Sequence, residues 1–499
     1  MSFRRLIARR IADGIHSEIF SGRITLENGF ITAVERGDFA AEEKFDRFFD
    51  EDKLLCPAFI DAHGHSDISL LAMKEAQGKT AQGIAFEISG NCGLSPFPLS
   101  TYNREHLQEL YRNYNIALDW HDYASYMNKL RSTSPQMELF PQVGHNTLRA
   151  CVAGYEKKHL SADELSEMCR ILDRELAAGA VGFSAGLLYV PGCFAGMDEL
   201  VKLLQVVARH DKVFSIHLRS EGNELENALV ETLEAARRAG LKKLHLSHLK
   251  TSGTQNFHKI NAILDALAAP DLRVSGDVYC CNASMTQLSV ILPAPFDEYD
   301  DIKLMQSLQK KDVFEQVKVQ MLAARPADYW EKVRIVSAAG IYSKFNGMLL
   351  TGASNISNIA PVELCLRLLA LDAPGTTAAF HTLSQENMEI LAAHASTVPG
   401  SDESARNITK EFGSSHPRGF GNHAEYFALR KKQGAALGSI ISEMSYKTAL
   451  IFNLPHIGAI TPGKRAVFTV LEPEKYQSKA TFTEPHSLAE GAGILRFGE

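Results

Sequence analysis

The amino-acid sequence predicts an α/β protein: a TIM-like (β/α)8 barrel, with a small β-sandwich domain formed by both termini and a lid subdomain inserted between strands seven and eight. Three observations carry this expectation. Eight short apolar runs alternate with amphipathic helical stretches through the middle of the chain, which implies parallel pairing and, at a count of eight, a barrel. Both ends are rich instead in short alternating runs separated by turns. The stretch 280–395 is too long for a simple strand-to-helix connection and carries patterns of its own.

At the N-terminal end, the runs 22–29 and 30–37 flank "ENG", the composition of a tight hairpin. The barrel strands fall at 57–62, 85–89, 138–143, 181–184, 213–218, 243–248, 273–279 and 396–401. Between them, Val201, Leu204, Val207 and Ala208 mark one helix face. Leu225, Ala228, Leu229, Leu233 and Ala236 mark another, ended by Gly240. The long stretch before strand eight holds a helical run at 299–323 and a strand-like run at 333–338. Near the C-terminus, Thr461-Pro462-Gly463 precedes the alternating run 466–471. The expected domains are 1–55 plus 440–499 for the β-domain, 56–439 for the barrel, and 285–345 for the subdomain over its mouth.

Composition narrows the function. A net charge of −7 over 499 residues, with no basic stripe, argues against a nucleic-acid partner. No apolar run reaches the length of a membrane span, and the basic N-terminal stretch lacks the apolar core of a signal peptide. A cytoplasmic location is expected. None of the eight cysteines forms a Cys-x-x-Cys pair, and seven read as small buried hydrophobes. Cys92 stands apart. In "SGNCGLSP" (89–96) it sits between glycines directly after strand two, as a packed thiol, a nucleophile or a metal ligand.

Active sites of such barrels lie at the C-terminal ends of the strands. Strand one ends in "PAFIDAHGHSD", where His63 and His65 are two apart, a spacing that puts both imidazoles on one face. Strand two ends at Cys92, strand five at His217, strand six at His248 and Lys250, and strand eight at Asp402. Any one strand-end histidine reads more readily as a structural residue than as a ligand. Their convergence on one rim favours a metal site, because imidazole and thiolate suit Zn²⁺ and a carboxylate can ligate or act as a base. His245 is out of phase with His248 and is assigned to packing.

The chain resembles the N-acyl-D-amino-acid deacylase (D-aminoacylase) family of the amidohydrolase superfamily. The matching stretches are "CPAFIDAHGHSD", "SGNCGLSPFP", "VGHNTLR", "AVGFSAGLLYVPG", "IHLRSEG", "LSHLKTSG", "GDVYCCNASMT", "GSDES" and "HPRGFGNHAEYF", in the family's order and over nearly the whole chain. The resemblance implies that Cys92 takes the bridging position that many superfamily members fill from strand four, where "AVGFSAGLLYV" offers neither lysine nor acid. It implies a tight Zn²⁺ held by Cys92, His217 and His248. His63 and His65, sharing Cys92, would form a second, weaker site whose occupancy the sequence leaves open. Lys250, Tyr279 and Arg418 match residues that bind the amino acid's α-carboxylate, and Tyr189 matches a tyrosine near the acyl carbonyl.

Asp402 then reads as the general base that takes a proton from an activated water and passes it to the leaving nitrogen. An acylated Cys92 is the rival chemistry, disfavoured for a thiolate held by a metal. Ala58 and Cys280 depart from the family's usual glycine and proline. The resemblance implies that family members acting on acidic D-residues need a cation in the stretch 287–301, which has no arginine here, so an acidic D-residue is not the expected substrate. Its run Asp297-Glu298-Tyr299-Asp300-Asp301 reads as a solvated lid loop, with attraction of a basic side chain as the sharper alternative. The expected activity is zinc-dependent hydrolysis of N-acyl-D-amino acids, with a small-molecule N-acyl amino acid or dipeptide as partner. Alternatives keep the metal site for a D-residue dipeptidase or a cyclic amidohydrolase, or make the barrel an inactive scaffold.

Overall fold

Eight parallel strands close into the expected barrel. They are β1 (Phe59–Asp61), β2 (Ile84–Ser89), β3 (Glu138–Pro141, continued by Val143–Gly144), β4 (Gly182–Gly186), β5 (Val213–His217), β6 (Lys243–Leu246), β7 (Arg273–Val278) and β8 (Thr397–Pro399). The computed structural model describes residues 5–40 and 46–497. Each strand pairs in parallel with the next. The ring closes where Ala62 N donates to Pro399 O at 3.2 Å and Gly64 bridges Glu403 in parallel. β2 and β5 are buried on both faces throughout, which is why they read as unbroken apolar runs.

The helices lay one apolar stripe each on the barrel. Ala162–Ala178 is typical: Ser161 and Glu164 close a capping box at its start, and Met168, Ile171, Leu172 and Leu176 are buried beneath it. Strands from both ends of the chain meet in one seven-stranded sheet: Arg5–Ala12, Ile19–Glu27, Phe30–Arg36, Asp46–Phe49, Leu54–Pro57, Val467–Leu471 and Ala492–Arg496. The "ENG" hairpin turns through Asn28 and Gly29, with φ of 48° and 78°, the left-handed pair a two-residue turn requires.

Between β7 and β8, Ser284–Gln287, Thr377–Phe380 and Val333–Ser337 form a separate antiparallel sheet in that order. The strand between the other two is Thr377–Phe380, so these elements extend past the 285–345 expected from sequence. The helical run splits into Asp301–Leu308 and Lys311–Ala324, the first capped by Asp300, whose carboxylate accepts from Lys303 N at 2.9 Å. Among the described residues no helix is long and apolar enough to cross a membrane.

Beneath the mouth lies a fully buried ion cluster. Lys79 Nζ donates to Asp61 Oδ2 (2.5 Å) and Ser401 Oγ (2.6 Å) and lies 3.0 Å from Glu87 Oε2. Burial alone would lower Lys79, but Asp61 and Glu87 hold its pKa above the usual range. Burial pushes Glu87 up to about 7 against the pull of Lys79. The cluster ties β1, β2 and the turn after β8 together. Lys79→Met leaves buried carboxylates without a counter-charge and is expected to cost about 3–5 kcal/mol, read as a lowered midpoint in urea at pH 7.

Candidate functional site

Every candidate residue lies at the C-terminal rim of the barrel, on a loop that reaches it or, for Arg418, at the start of the helix Arg418–Lys432. Local backbone geometry puts the cysteine there. After β2 the chain turns through Gly90 (φ 68°), Cys92 (φ 53°) and Gly93 (φ 76°). A Cβ on Gly90 would lie 2.4 Å from Gln142 O, and one on Gly93 would lie 2.0 Å from Asn146 Oδ1. Only glycine fits either place. Asn91 braces the turn, donating to Ile88 O (2.9 Å) and Gly64 O (3.2 Å) and accepting from Gln142 Nε2 (2.8 Å).

The Cys92 sulfur lies 3.4 Å from His63 Nε2 and 3.3 Å from His248 Nε2. Donor atoms of His63, Cys92, His248 and Asp402 all fall within 4.8 Å of one another, as do those of His217, Glu221 and His248. Ring centroids are 4.9 Å apart for His63–His248 and 4.4 Å for His217–His248. β1 ends at Asp61, so strand alternation does not aim His63 and His65. A bend through Gly64 does, and a Cβ there would lie 2.0 Å from the Glu87 carboxyl carbon.

The imidazoles are held from behind. His63 Nδ1 lies 3.1 Å from Asp277 Oδ1, which turns Nε2 toward the sulfur. Asp277 also takes His245 Nε2 at 3.0 Å, so His245 supports the site through a shared carboxylate as well as by packing. Glu221 Oε1 lies 3.0 Å from His248 Nδ1, and Lys250 Nζ lies 2.7 Å from the same nitrogen. Together they present His248 Nε2 to the sulfur. Sequence reasoning missed Glu221 and Asp277, although both sit inside stretches it singled out, four residues after His217 and two before Tyr279.

Asp402, at φ 50°, accepts at both oxygens. Oδ1 is 3.2 Å from His65 Nε2, and Oδ2 is 3.0 Å from Arg418 Nη2. Burial would raise its carboxyl, but Arg418, His248 and His65 hold it well below the usual range. Burial pushes His217 down to about 3, so its ring is neutral near pH 7. Burial also raises the Cys92 thiol, a penalty that a bound cation offsets.

Among the described residues, several buried polar atoms have no hydrogen-bond partner: both ring nitrogens of His217, the Tyr279 hydroxyl, and Nε and Nη1 of Arg418. Buried donors and acceptors of this kind ordinarily find partners. Those of His217 match a metal. Those of Arg418 and Tyr279, whose ring lies 4.5 Å from the guanidinium carbon, match an anion. Lys250 is committed to Glu221 at 2.6 Å. The Tyr189 hydroxyl lies 3.0 Å from Thr286 Oγ1. His65, Cys92, Tyr189, His217, His248, Lys250, Asp402 and Arg418 line one cavity of about 410 Å³, whereas His63 and Tyr279 stand behind its wall. Ser284, Met285, Thr286, Gln287 and Asp301, from the segment between β7 and β8, form part of its rim.

Imidazoles, a thiol and a carboxylate converging on one point at the strand ends make this an amidohydrolase-type barrel. No protein-family model matches the chain. It is 27% identical to the N-acyl-D-glutamate deacylase of Alcaligenes xylosoxydans xylosoxydans over 97% of this chain and 92% of that one. It is 24% identical to the D-aminoacylase of the same organism, over 88% of this chain and 82% of that one. A solved N-acyl-D-glutamate deacylase from Bordetella bronchiseptica, complexed with zinc and a phosphonate mimic of the tetrahedral intermediate, superimposes with a TM-score of 0.82 at 23% identity, covering 99% of this chain and 95% of that one. In sequence and fold the chain is similar to the D-aminoacylases.

Proposed function

We propose that the protein hydrolyses the amide bond of N-acyl-D-amino acids, releasing a D-amino acid and a carboxylic acid. One observation carries this reading: Arg418, whose Nε and Nη1 have no hydrogen-bond partner, is ion-paired at 3.0 Å with Asp402 of the Cys92–His63–His248–Asp402 donor group. A site for activating water thus adjoins a site for a carboxylate. The D-configuration rests on the relatives' activities.

The donor set suits zinc. Cys92, His217 and His248 would hold a tight ion, and His63 and His65, sharing Cys92, a weaker one. When bound, Zn²⁺ supplies Lewis acidity toward the scissile carbonyl and lowers the pKa of a water. Asp402 Oδ1 accepts that water's proton and returns it to the departing nitrogen, while Oδ2 stays anchored on Arg418. Arg418 Nε and Nη1 receive the α-carboxylate, with the Tyr279 ring packed against the guanidinium from behind the cavity wall. Lys250, neutralised by Glu221, adds an ammonium at the edge of that clamp. Tyr189 donates toward the acyl carbonyl. The segment between β7 and β8, which contributes to the cavity rim, serves as a lid.

A screen of zinc-loaded enzyme against N-acetyl-D- and N-acetyl-L-amino acids, their methyl esters, and dipeptides ending in a D-residue tests the reading. Turnover of free-acid D-compounds with loss on esterification is expected. Preference for L-compounds, or undiminished turnover of the esters, would overturn it.

A further inference from the structure

We propose that the side of the cavity built by residues 94–114 is the acyl subsite, and that it takes an extended apolar acyl chain in preference to acetyl. The proposal rests on the deacylase reading and deepens it.

Barrel order supplies the direction. The carboxylate clamp comes from the ends of β6 and β7 and from Arg418 beyond β8. In a closed ring of eight strands, β2 and β3 stand across the barrel from β6 and β7. A substrate with its α-carboxylate on the clamp and its amide over the Cys92 cluster therefore points its acyl carbon toward the β2–β3 side.

That side is an apolar wall. Leu107, Leu110, Tyr111 and Tyr114 follow the i, i+3, i+4, i+7 spacing across the helix Arg104–Leu110 and the turn after it, and all four line the cavity. Leu107 is buried, whereas the other three are only half-buried, so their apolar surface faces the cavity. Leu94 extends the wall, and Tyr155, stacked on His106 at 3.9 Å, faces it. The acetyl methyl would leave this stripe wet, and the cavity has a volume in the range that holds drug-sized ligands. The acids nearby disfavour an anionic acyl group. Asp67 lines the same cavity, and Asp301, pushed up to about 6 by burial, sits on its rim. Both cations lining the cavity, Lys250 and Arg418, are paired with Glu221 and Asp402.

The test is a chain-length series of acetyl, butanoyl, hexanoyl and octanoyl amides of the D-residue turned over fastest as its acetyl derivative. Each methylene buried on the wall is worth about fourfold in kcat/KM, so octanoyl is expected to exceed acetyl by about 10²-fold or more. In Leu110→Asp, which places a charge on the stripe, the octanoyl-to-acetyl ratio should fall at least tenfold. The series on the unmodified enzyme stands without the variant. Acetyl equal to or better than octanoyl would overturn the acyl assignment and leave deacylation intact. An unchanged ratio in folded Leu110→Asp would overturn the wall as the chain's location. Failure of the zinc-loaded enzyme to cleave any member would sink the deacylase reading itself.

Discussion

Asp402→Asn is expected to lower kcat by about 10²–10⁴, the range attributed to a positioned general base, with the metal content of the purified protein unchanged. Asparagine preserves the shape and can still accept from Arg418, but it cannot take a proton. Although it is largely buried, the wild-type carboxylate is held ionised by Arg418, His248 and His65, so it is available as a base throughout the neutral range. Its place within 4.8 Å of the His63, Cys92 and His248 donors makes ligation the competing role. Metal analysis beside steady-state kinetics separates the two. Loss of activity with bound metal retained identifies a base, and loss of both reassigns Asp402 as a ligand. Retention of most of the activity would remove it from the mechanism.

Much of this site was legible because barrel strands announce themselves and their ends carry the chemistry. Runs buried on both faces, such as β2 and β5, read as apolar without interruption, and a polar residue just past such a run stands out. Cys92 between its glycines and Asp402 in "GSDES" were visible for this reason. What lay hidden depends on pairings between distant segments. Lys79 lies on a short helix 18 positions from Asp61 and 322 from Ser401, and nothing in its neighbourhood marks it as the centre of a buried ion cluster. Glu221 looks like any loop acid until the chain after β5 folds back and brings it to Lys250 and His248. Lys250 reads from sequence as a free cation for the substrate, whereas the structure shows it already bound to Glu221. In the proposed reading the clamp is therefore the unpartnered donors of Arg418 with an ammonium beside them. The HxH pair was found through strand periodicity, yet the histidines lie past the end of β1. The bend that aims them depends on Gly64 packing against Glu87, a contact sequence spacing does not encode.

Cys92→Ser is expected to strip the tight metal and reduce hydrolysis to background. The sulfur lies 3.4 Å from His63 Nε2 and 3.3 Å from His248 Nε2, and it is the one soft donor in the group those histidines form with Asp402. A serine hydroxyl keeps the backbone, including the φ of 53° at this position, but it ionises far less readily and is a harder ligand for zinc than thiolate. Stability provides a readout separate from turnover. Zinc at a thousandfold excess over its Kd should stabilise the unmodified protein by about 4.1 kcal/mol, and the variant should show little of that gain while its metal-free midpoint stays close to the parent's. A melting temperature that still rises with zinc in Cys92→Ser, together with stoichiometric bound metal, would mean that imidazoles and carboxylates suffice. The thiol would then be a packing group, and the argument that a glycine-flanked turn exists to deliver a ligand would fail with it.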